Sequence, residues 1–387
     1  MSKSFMQKSF GQAMRNATRL IGTGKLLDAT RLIQRALSGH TAPVRPKVWP
    51  QSNPNPRGEP APAANDPQVE APPPQVIILP SPGQPGQNID TDKSSPAPRR
   101  SASFTQHQFK FEGDTYPYRL YVPSAISAND NPPLPLVVLL HGCKQDALDF
   151  SNGTAMNALA EEHQVMVLYP EQITSANAMR CWNWFEPGHQ QADHGEPGMI
   201  AALTQKIAQQ RGADPQRVYI AGLSAGGAMA AVMAGLHPEM FAAVGVHSGL
   251  AAGAARDVMS AFGAMRTGAK GRSQPALPTI IFHGAADKTV HPDNSDHITD
   301  AALAGLKASG LTLIKTQTAM THNSDQKIER IVYSTADGKP YIENWRIDDG
   351  AHAWSGGDAA GSYTDPDGPS ASAAMLAFFL QHRLHSA

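Results

Sequence analysis

The chain is poor in the features that would assign it to several large classes. It has only two cysteines, Cys143 and Cys181, in 387 residues. That is too few for a disulfide scaffold, and their spacing does not fit a zinc site. No run of 18 apolar residues occurs, so the sequence offers no membrane-spanning helix. The formal net charge is -1, which gives no whole-chain electrostatic case for nucleic acid or an anionic membrane as partner. The first residues, MSKSFMQKSFGQAMRNATRL, lack a continuous apolar stretch followed by a small-residue cleavage site. They are therefore a poor secretory signal. What is present, 41% hydrophobic and 17% charged residues, suits a water-soluble chain with a substantial core.

Composition divides the chain into three regions. In residues 1–40, apolar residues fall mostly at helical spacing, and Ala17-Thr-Arg-Leu-Ile21 recurs as Ala29-Thr-Arg-Leu-Ile33. Two short amphipathic helices are expected there. Arg15, Arg19, Lys25, Arg31 and Arg35 make the region basic, and Asp28 is its only acidic residue. Such a hairpin could dock on a partner, a granule surface or an anionic lipid face. It could equally pack on its own chain or form a weakly ordered tail. Residues 41–104 hold 16 of the 32 prolines. Proline has no backbone donor and a fixed φ, so this stretch is expected to be an extended, largely disordered tether. Within it, Val76-Ile-Ile-Leu79 is the one apolar patch.

Residues 105–387 read as one domain of the α/β class. HQFKFEG and TYPYRLYVP form a strand pair with a turn at Gly113-Asp114. Leu136-Val-Val-Leu-Leu140, Val165-Met-Val-Leu-Tyr169, Arg217-Val-Tyr-Ile-Ala221, Phe241 to Val246 and Pro278-Thr-Ile-Ile-Phe282 are short apolar runs, as expected of strands buried on both faces. Ile328 to Ser334 and Tyr341 to Ile347 add two more strands. Helices are expected from Ala147 to about His163, from Glu196 to Arg211, after Ser224 to Leu236, and from Ser370 to Arg383. Alternating strands and helices imply a mostly parallel sheet covered on both sides, with the first hairpin as an antiparallel edge.

The strongest chemical signal is Gly222-Leu-Ser224-Ala-Gly226-Gly227. It fits G-x-S-x-G with a strand before it and a helix after it, the setting of a nucleophile on a tight turn. Glycines are needed where neighbouring chain passes closely, and the helix N-terminus favours negative charge developing at the serine. A serine hydroxyl is a weak nucleophile and needs a base, which in turn needs an orienting carboxylate. His352, in Asp349-Gly-Ala-His352-Ala-Trp354, lies late in the chain on the expected loop. His283 ends a strand and reads as structural, His291 and His297 fall beside a helix start, and His382 and His385 are near the terminus. Asp287 follows a strand and the turn His283-Gly-Ala-Ala, at the carboxyl end of the sheet. It is preferred to Asp348 and Asp349.

Acyl transfer also needs donors for an oxyanion. The N–H groups of Ala225 and of Cys143, in His141-Gly-Cys143-Lys-Gln145, are the candidates. Cys181-Trp-Asn-Trp-Phe185 looks like a pocket wall, with ordinary core filling as the alternative. His141, Gln145, Trp182, Trp184, Phe185 and Trp354 are the candidate substrate-binding residues. Cys143 and Cys181 both fall in loops expected at one end of the sheet. A disulfide between them would brace the oxyanion loop against the aromatic segment, though sequence alone does not fix their separation.

Taken together, Leu140-His-Gly-Cys-Lys-Gln145, Tyr169-Pro-Glu171, Cys181-Trp-Asn-Trp-Phe185, Gly222-Leu-Ser-Ala-Gly-Gly227, His283-Gly-Ala-Ala-Asp287, Ala351-His-Ala-Trp354 and Gly361-Ser-Tyr-Thr-Asp-Pro-Asp-Gly-Pro369 resemble the polyhydroxybutyrate depolymerase family, which also includes feruloyl and acetylxylan esterases. The resemblance runs from about 105 to 385. It implies an α/β-hydrolase fold and a serine esterase using no cofactor or metal. It also implies Ser224, Asp287 and His352 as the triad, the 141–145 loop as oxyanion site, and an ester as substrate, either polyhydroxybutyrate or a related polyester or a feruloyl or acetyl ester of plant polysaccharide. One departure is Ser355, where the family often has proline after His-Ala-Trp. Another is export: the family favours an extracellular or periplasmic setting, whereas the N-terminus favours a cytoplasmic, granule-associated one.

Overall fold

The structure, a computed structural model, describes residues 101–124, 132–323 and 325–384. All lie in the second of the chain's two units, Ser95–Ala387. The hairpin expected at 1–40 and the tether expected at 41–104 lie outside the described residues.

Strands β1 (Ser103–Phe111) and β2 (Asp114–Val122) pair antiparallel. Their turn is centred one residue earlier than expected, on Glu112 and Gly113, with φ of 47° and 92°. Positive φ at both central residues is what the tight hairpin turn matching strand twist requires. β3 (Leu136–Leu140), β4 (Met166–Pro170), β5 (Val218–Leu223), β6 (Ala243–His247) and β7 (Thr279–Gly284) are buried at every residue. β8 (Ile314–His322), β9 (Gln326–Ser334) and β10 (Pro340–Ile347) complete a ten-stranded sheet in the order β1-β2-β4-β3-β5-β6-β7-β10-β9-β8. The six strands from β4 to β10 in that order are parallel, and an antiparallel pair closes each edge. The short strands β11 (Trp354–Ser355) and β12 (Thr364–Asp365) pair outside the main sheet.

The helices are α1 (Ala147–Thr154), α2 (Met156–His163), α3 (Gly195–Arg211), α4 (Ala225–Leu236), α5 (Val258–Thr267), α6 (Asp293–Ala308) and α7 (Ala371–Phe379). The single helix expected over 147–163 is broken at Ala155, whose φ is 50°. Just before the break, Gly153 lies against Gly361, where a Cβ on Gly153 would meet the Gly361 Cα at 3.3 Å. Two apolar clusters cover the two faces of the sheet. Val138, Ile220, Val244 and Ile281 pack with α3, α4 and α6. Val137, Leu139, Tyr219, Ile280 and Phe282 pack with α1, α2 and α7. Period-two alternation along each strand sends neighbouring residues to opposite layers.

From β3 the chain moves to β4 on one side and then to β5 on the other. Connections therefore diverge between β3 and β5. In open α/β sheets the ligand crevice forms outside the carboxyl ends of strands at such a point. The loop after β3 and the turn after β5 meet there. A Cβ on Gly226 would lie 2.1 Å from the Leu140 carbonyl oxygen and 2.5 Å from that of His141. These obstacles are backbone and cannot swing away. Gly226→Ala is expected to cost about 3 kcal/mol or more of stability, read as a shift in the urea unfolding midpoint. An unchanged midpoint would contradict this packing.

Candidate active site

Ser224 sits between β5 and α4 with φ 58° and ψ -119°. A non-glycine residue rarely adopts that conformation, and holding it costs on the order of 1–3 kcal/mol. The Ser224 N–H donates to the His247 carbonyl at 2.9 Å, and the Ser224 carbonyl accepts from the Ala228 N–H at 2.9 Å. These contacts, and the glycines that let β3 pass, hold the strained turn.

Asp287 and His352 reach Ser224 from two further loops. After β7, the Ala285 N–H donates to the Ile347 carbonyl and the Ala286 N–H to the Gly350 carbonyl. The turn that carries Asp287 is thus joined to the end of β10, just ahead of His352. Asp287 Oδ1 accepts from the Thr289 and Val290 N–H groups at 2.8 and 2.9 Å. Its Oδ2 lies 2.7 Å from His352 Nδ1, and His352 Nε2 lies 2.9 Å from Ser224 Oγ. Burial alone pushes the Asp287 carboxyl up. Hydrogen bonds from His283 and His352, with the His352 charge and the Val290 N–H, outweigh that and hold it well below the usual carboxylate range. An ionised carboxylate can only accept, so His352 Nδ1 carries the proton and Nε2 is free to accept from Ser224. The row can move the serine proton onto His352. Asp348 and Asp349 are exposed and outside it.

The Cys143–Cys181 pair forms a disulfide with Cα atoms 4.2 Å apart. The Lys144 N–H also donates to the Met179 carbonyl at 2.7 Å, and Arg180 pairs with Asp146 at 3.4 Å. The loop after β3 is therefore tied to the segment before Trp182. Gly142 brings that loop to Ser224: a Cβ there would be 3.6 Å from the Ser224 Cβ. Among the described residues, the N–H groups of Cys143 and Ala225 donate to no carbonyl. Both are free for an incoming oxygen.

The structure places most of the candidate substrate-binding residues in the interior. His141, Trp182 and Trp354 are fully buried, Gln145 is 2% exposed and Trp184 is 4% exposed. The polar groups of His141, Gln145, Trp182 and Trp354 are engaged within the protein. His141 Nε2 accepts from the Gln172 N–H, and burial lowers its pKa to about 4. Trp182 Nε1–H donates to the His141 carbonyl at 3.1 Å. Gln145 Oε1 accepts from the Gly142 N–H, while its Nε2 donates to Asp149 Oδ2 and to the Ser362 carbonyl. Trp354 Nε1–H donates to Ser372 Oγ. These side chains lie in the interior and brace the loops from behind. Phe185 alone in the set is partly exposed, with its ring perpendicular to Trp184 at 5.6 Å.

Sequence reasoning missed His247, at the end of β6. Its ring stacks between Phe282 and Trp354, and its Nε2 accepts from the Ser355 N–H at 3.0 Å. Burial, then the neighbouring His283 and His352, drive its pKa down to about 3, so it stays neutral. Ser355 Oγ also donates to the Pro369 carbonyl at 2.7 Å. The serine that departs from the family's proline thus fastens the His352 loop by two hydrogen bonds, of which proline could make neither. Glu196 was missed as well. Buried under the aromatic segment, it accepts from Gln172 Nε2 and from the Asn183 N–H and Nδ2. No local pattern marks either residue, since each matters through partners distant in sequence.

The sequence profile described as esterase PHB depolymerase matches residues 116–312. Poly(3-hydroxyalkanoate) depolymerase C of Paucimonas lemoignei is 32% identical over 242 residues, covering 59% of this chain and 56% of that protein. Feruloyl esterase B of Thermothelomyces thermophilus is 30% identical over 196 residues, covering 45% of this chain and 64% of its own. The chain thus matches less than two thirds of the length of either relative. Among solved structures, an acetyl xylan esterase from Aspergillus awamori aligns over 72% of this chain and 99% of its own, with TM-score 0.53 and 20% identity. That likeness concerns the fold, which is that of the α/β-hydrolases. With half its length matched by the family's profile, the chain belongs to the PHB depolymerase family of esterases.

Proposed function

We propose that the protein is a carboxylic-ester hydrolase that works through an acyl-enzyme on Ser224. The observation that carries this reading is the hydrogen-bonded row Ser224–His352–Asp287 beside two unengaged N–H groups. His352 Nε2 takes the Ser224 proton as Oγ attacks the ester carbonyl. The oxygen that gains charge is held by the N–H groups of Ala225 and Cys143. As the tetrahedral intermediate collapses, the alkoxy group leaves with the proton from His352. Water then attacks the acyl carbonyl, His352 takes its proton, and the carboxylic acid departs as Ser224 regains its hydrogen. Asp287 stays ionised throughout, keeps His352 in the required tautomer and offsets its charge.

The proposed substrate is polyhydroxybutyrate or a related polyester or its oligomers. The depolymerase of Paucimonas lemoignei supports it, and Phe185 offers an apolar surface for an aliphatic acyl chain. Feruloyl or acetyl esters of plant polysaccharide form a second reading, supported by the feruloyl esterase relative. Residues 1–40, read from sequence as either a docking element or a hairpin or tail of the chain's own, carry no part of this proposal. Hydrolysis of polyhydroxybutyrate, methyl ferulate, acetylated xylan and short p-nitrophenyl esters should be compared between wild type and Ser224→Ala. The wild type is expected to favour the polyester. A preference for ferulate or xylan would replace the substrate, and equal rates for the two proteins on every ester would overturn the mechanism.

A further inference from the structure

Asp287 has a second histidine neighbour. His283 Nε2 lies 3.5 Å from Asp287 Oδ2 and 3.0 Å from the Val290 carbonyl oxygen. A carbonyl can only accept, so Nε2 carries a proton and Nδ1 is a bare acceptor. His283 is also among the residues around a cavity of about 110 Å³, with Ser295, Asp293, Asp296 and Arg346. His283 is 1% exposed and Ser295 is fully buried. His283 Nδ1 and Ser295 Oγ have no hydrogen-bond partner among the described residues. The other polar groups differ. Arg346 is paired with Asp296 and Glu329, and the side chains of Asp293 and Asp296 are 63% and 49% exposed. Of the lining residues, His283 and Ser295 are thus the buried polar ones, and Asp293 and Asp296 the exposed charged ones. A buried acceptor is costly unless paired, and water needs only roughly 30 Å³ and a few polar partners.

We propose that ordered water in this cavity donates to His283 Nδ1 and accepts from Ser295 Oγ, fixing His283 as the tautomer whose Nε2–H faces Asp287. His283 is then a positioning residue. It shares its proton between the Val290 carbonyl and Asp287 Oδ2, the same oxygen that accepts from His352. With Oδ1 held by two backbone donors, this restrains rotation of the carboxylate and keeps Oδ2 directed at His352. No role in proton transfer falls to His283.

The inference rests on the triad reading, and its tests separate the two. Nitrogen NMR of histidine-labelled protein, with the His283 signals assigned by their loss in His283→Gln, reads the tautomer without turnover. An Nε2-protonated neutral ring is expected; an Nδ1-protonated or doubly protonated ring overturns the proposal and leaves the triad untouched. In kinetics, His283→Leu is expected to lower kcat about tenfold, the scale of one hydrogen bond to a charged group, with KM little changed. His283→Gln, which restores an N–H near the Nε2 position, should recover most of that loss. Ser295→Val removes the water's donor and should lower kcat in the same sense. Equal losses in the Leu and Gln variants would mean that the ring acts only by filling space, and would overturn the positioning role.

Discussion

Alanine at Ser224, at His352 or at both should lower kcat for ester hydrolysis by nearly the same factor, on the order of 10⁶. The reason is geometric. His352 Nε2 is 2.9 Å from Ser224 Oγ, and the base has nothing to activate once the hydroxyl is gone. The hydroxyl, without the base, attacks as slowly as an ordinary alcohol. Each loss removes the whole covalent path, so the second adds little. Asp287→Asn should be milder, on the order of 10⁴. Its amide can present N–H to His352 and so stabilise the tautomer that has lost its acceptor for Ser224. Steady-state rates on one p-nitrophenyl ester suffice. Multiplying losses, with the double variant far below either single one, would show that Ser224 and His352 act independently.

Acid should unfold the protein in a window set by three buried histidines. Burial lowers the pKa of His141 to about 4; burial foremost also lowers those of His247 and His382 to about 3. In the unfolded chain each ring binds a proton near pH 6.5. Below that pH the unfolded state holds up to three more protons than the folded state, so stability falls as pH falls. The loss approaches about 1.4 kcal/mol per ring per pH unit and amounts to about 6 kcal/mol for the three at pH 5. That compares with the about 5–15 kcal/mol total of a typical domain. Asp287 acts in the same direction but later. Its folded carboxyl is held below the ordinary range, so its contribution is present above about pH 4 and fades below it. Thermal unfolding between pH 8 and 5 should show a steep decline below 6.5. His382→Phe removes one ring, packed at 4.6 Å on Phe378, and should flatten the decline by about a third. A level profile from pH 7 to 5 would refute the account.

The parallel core was legible in the sequence because strands buried on both faces are short, continuous apolar runs, and every residue of β3 through β7 is buried. β8 escaped notice because it is a mostly exposed edge strand, IKTQTAMTH, with no apolar alternation. α5 escaped because its capping box, Asp257 with Ser260, uses serine in place of the usual acidic partner and only Ala261 and Ala264 are buried. At the site, Ser224, Asp287 and His352 could be named because their turns follow strands in a fixed order. The roles of His141, Gln145, Trp182 and Trp354 could not. An aromatic or polar residue beside a motif looks the same in sequence whether it faces a ligand or holds the loop from beneath. Only three-dimensional burial separates the two, as at Trp182, whose N–H is taken by a carbonyl 41 residues away.

The contact between Ser355 and His247 makes two distant positions a single inherited character. A proline drifting into 355 would strand a buried imidazole nitrogen, and a change at 247 alone would strand a backbone donor. Either step taken singly passes through a damaged protein. Lineages are therefore expected to keep both residues or to exchange both, whatever ester they have come to hydrolyse.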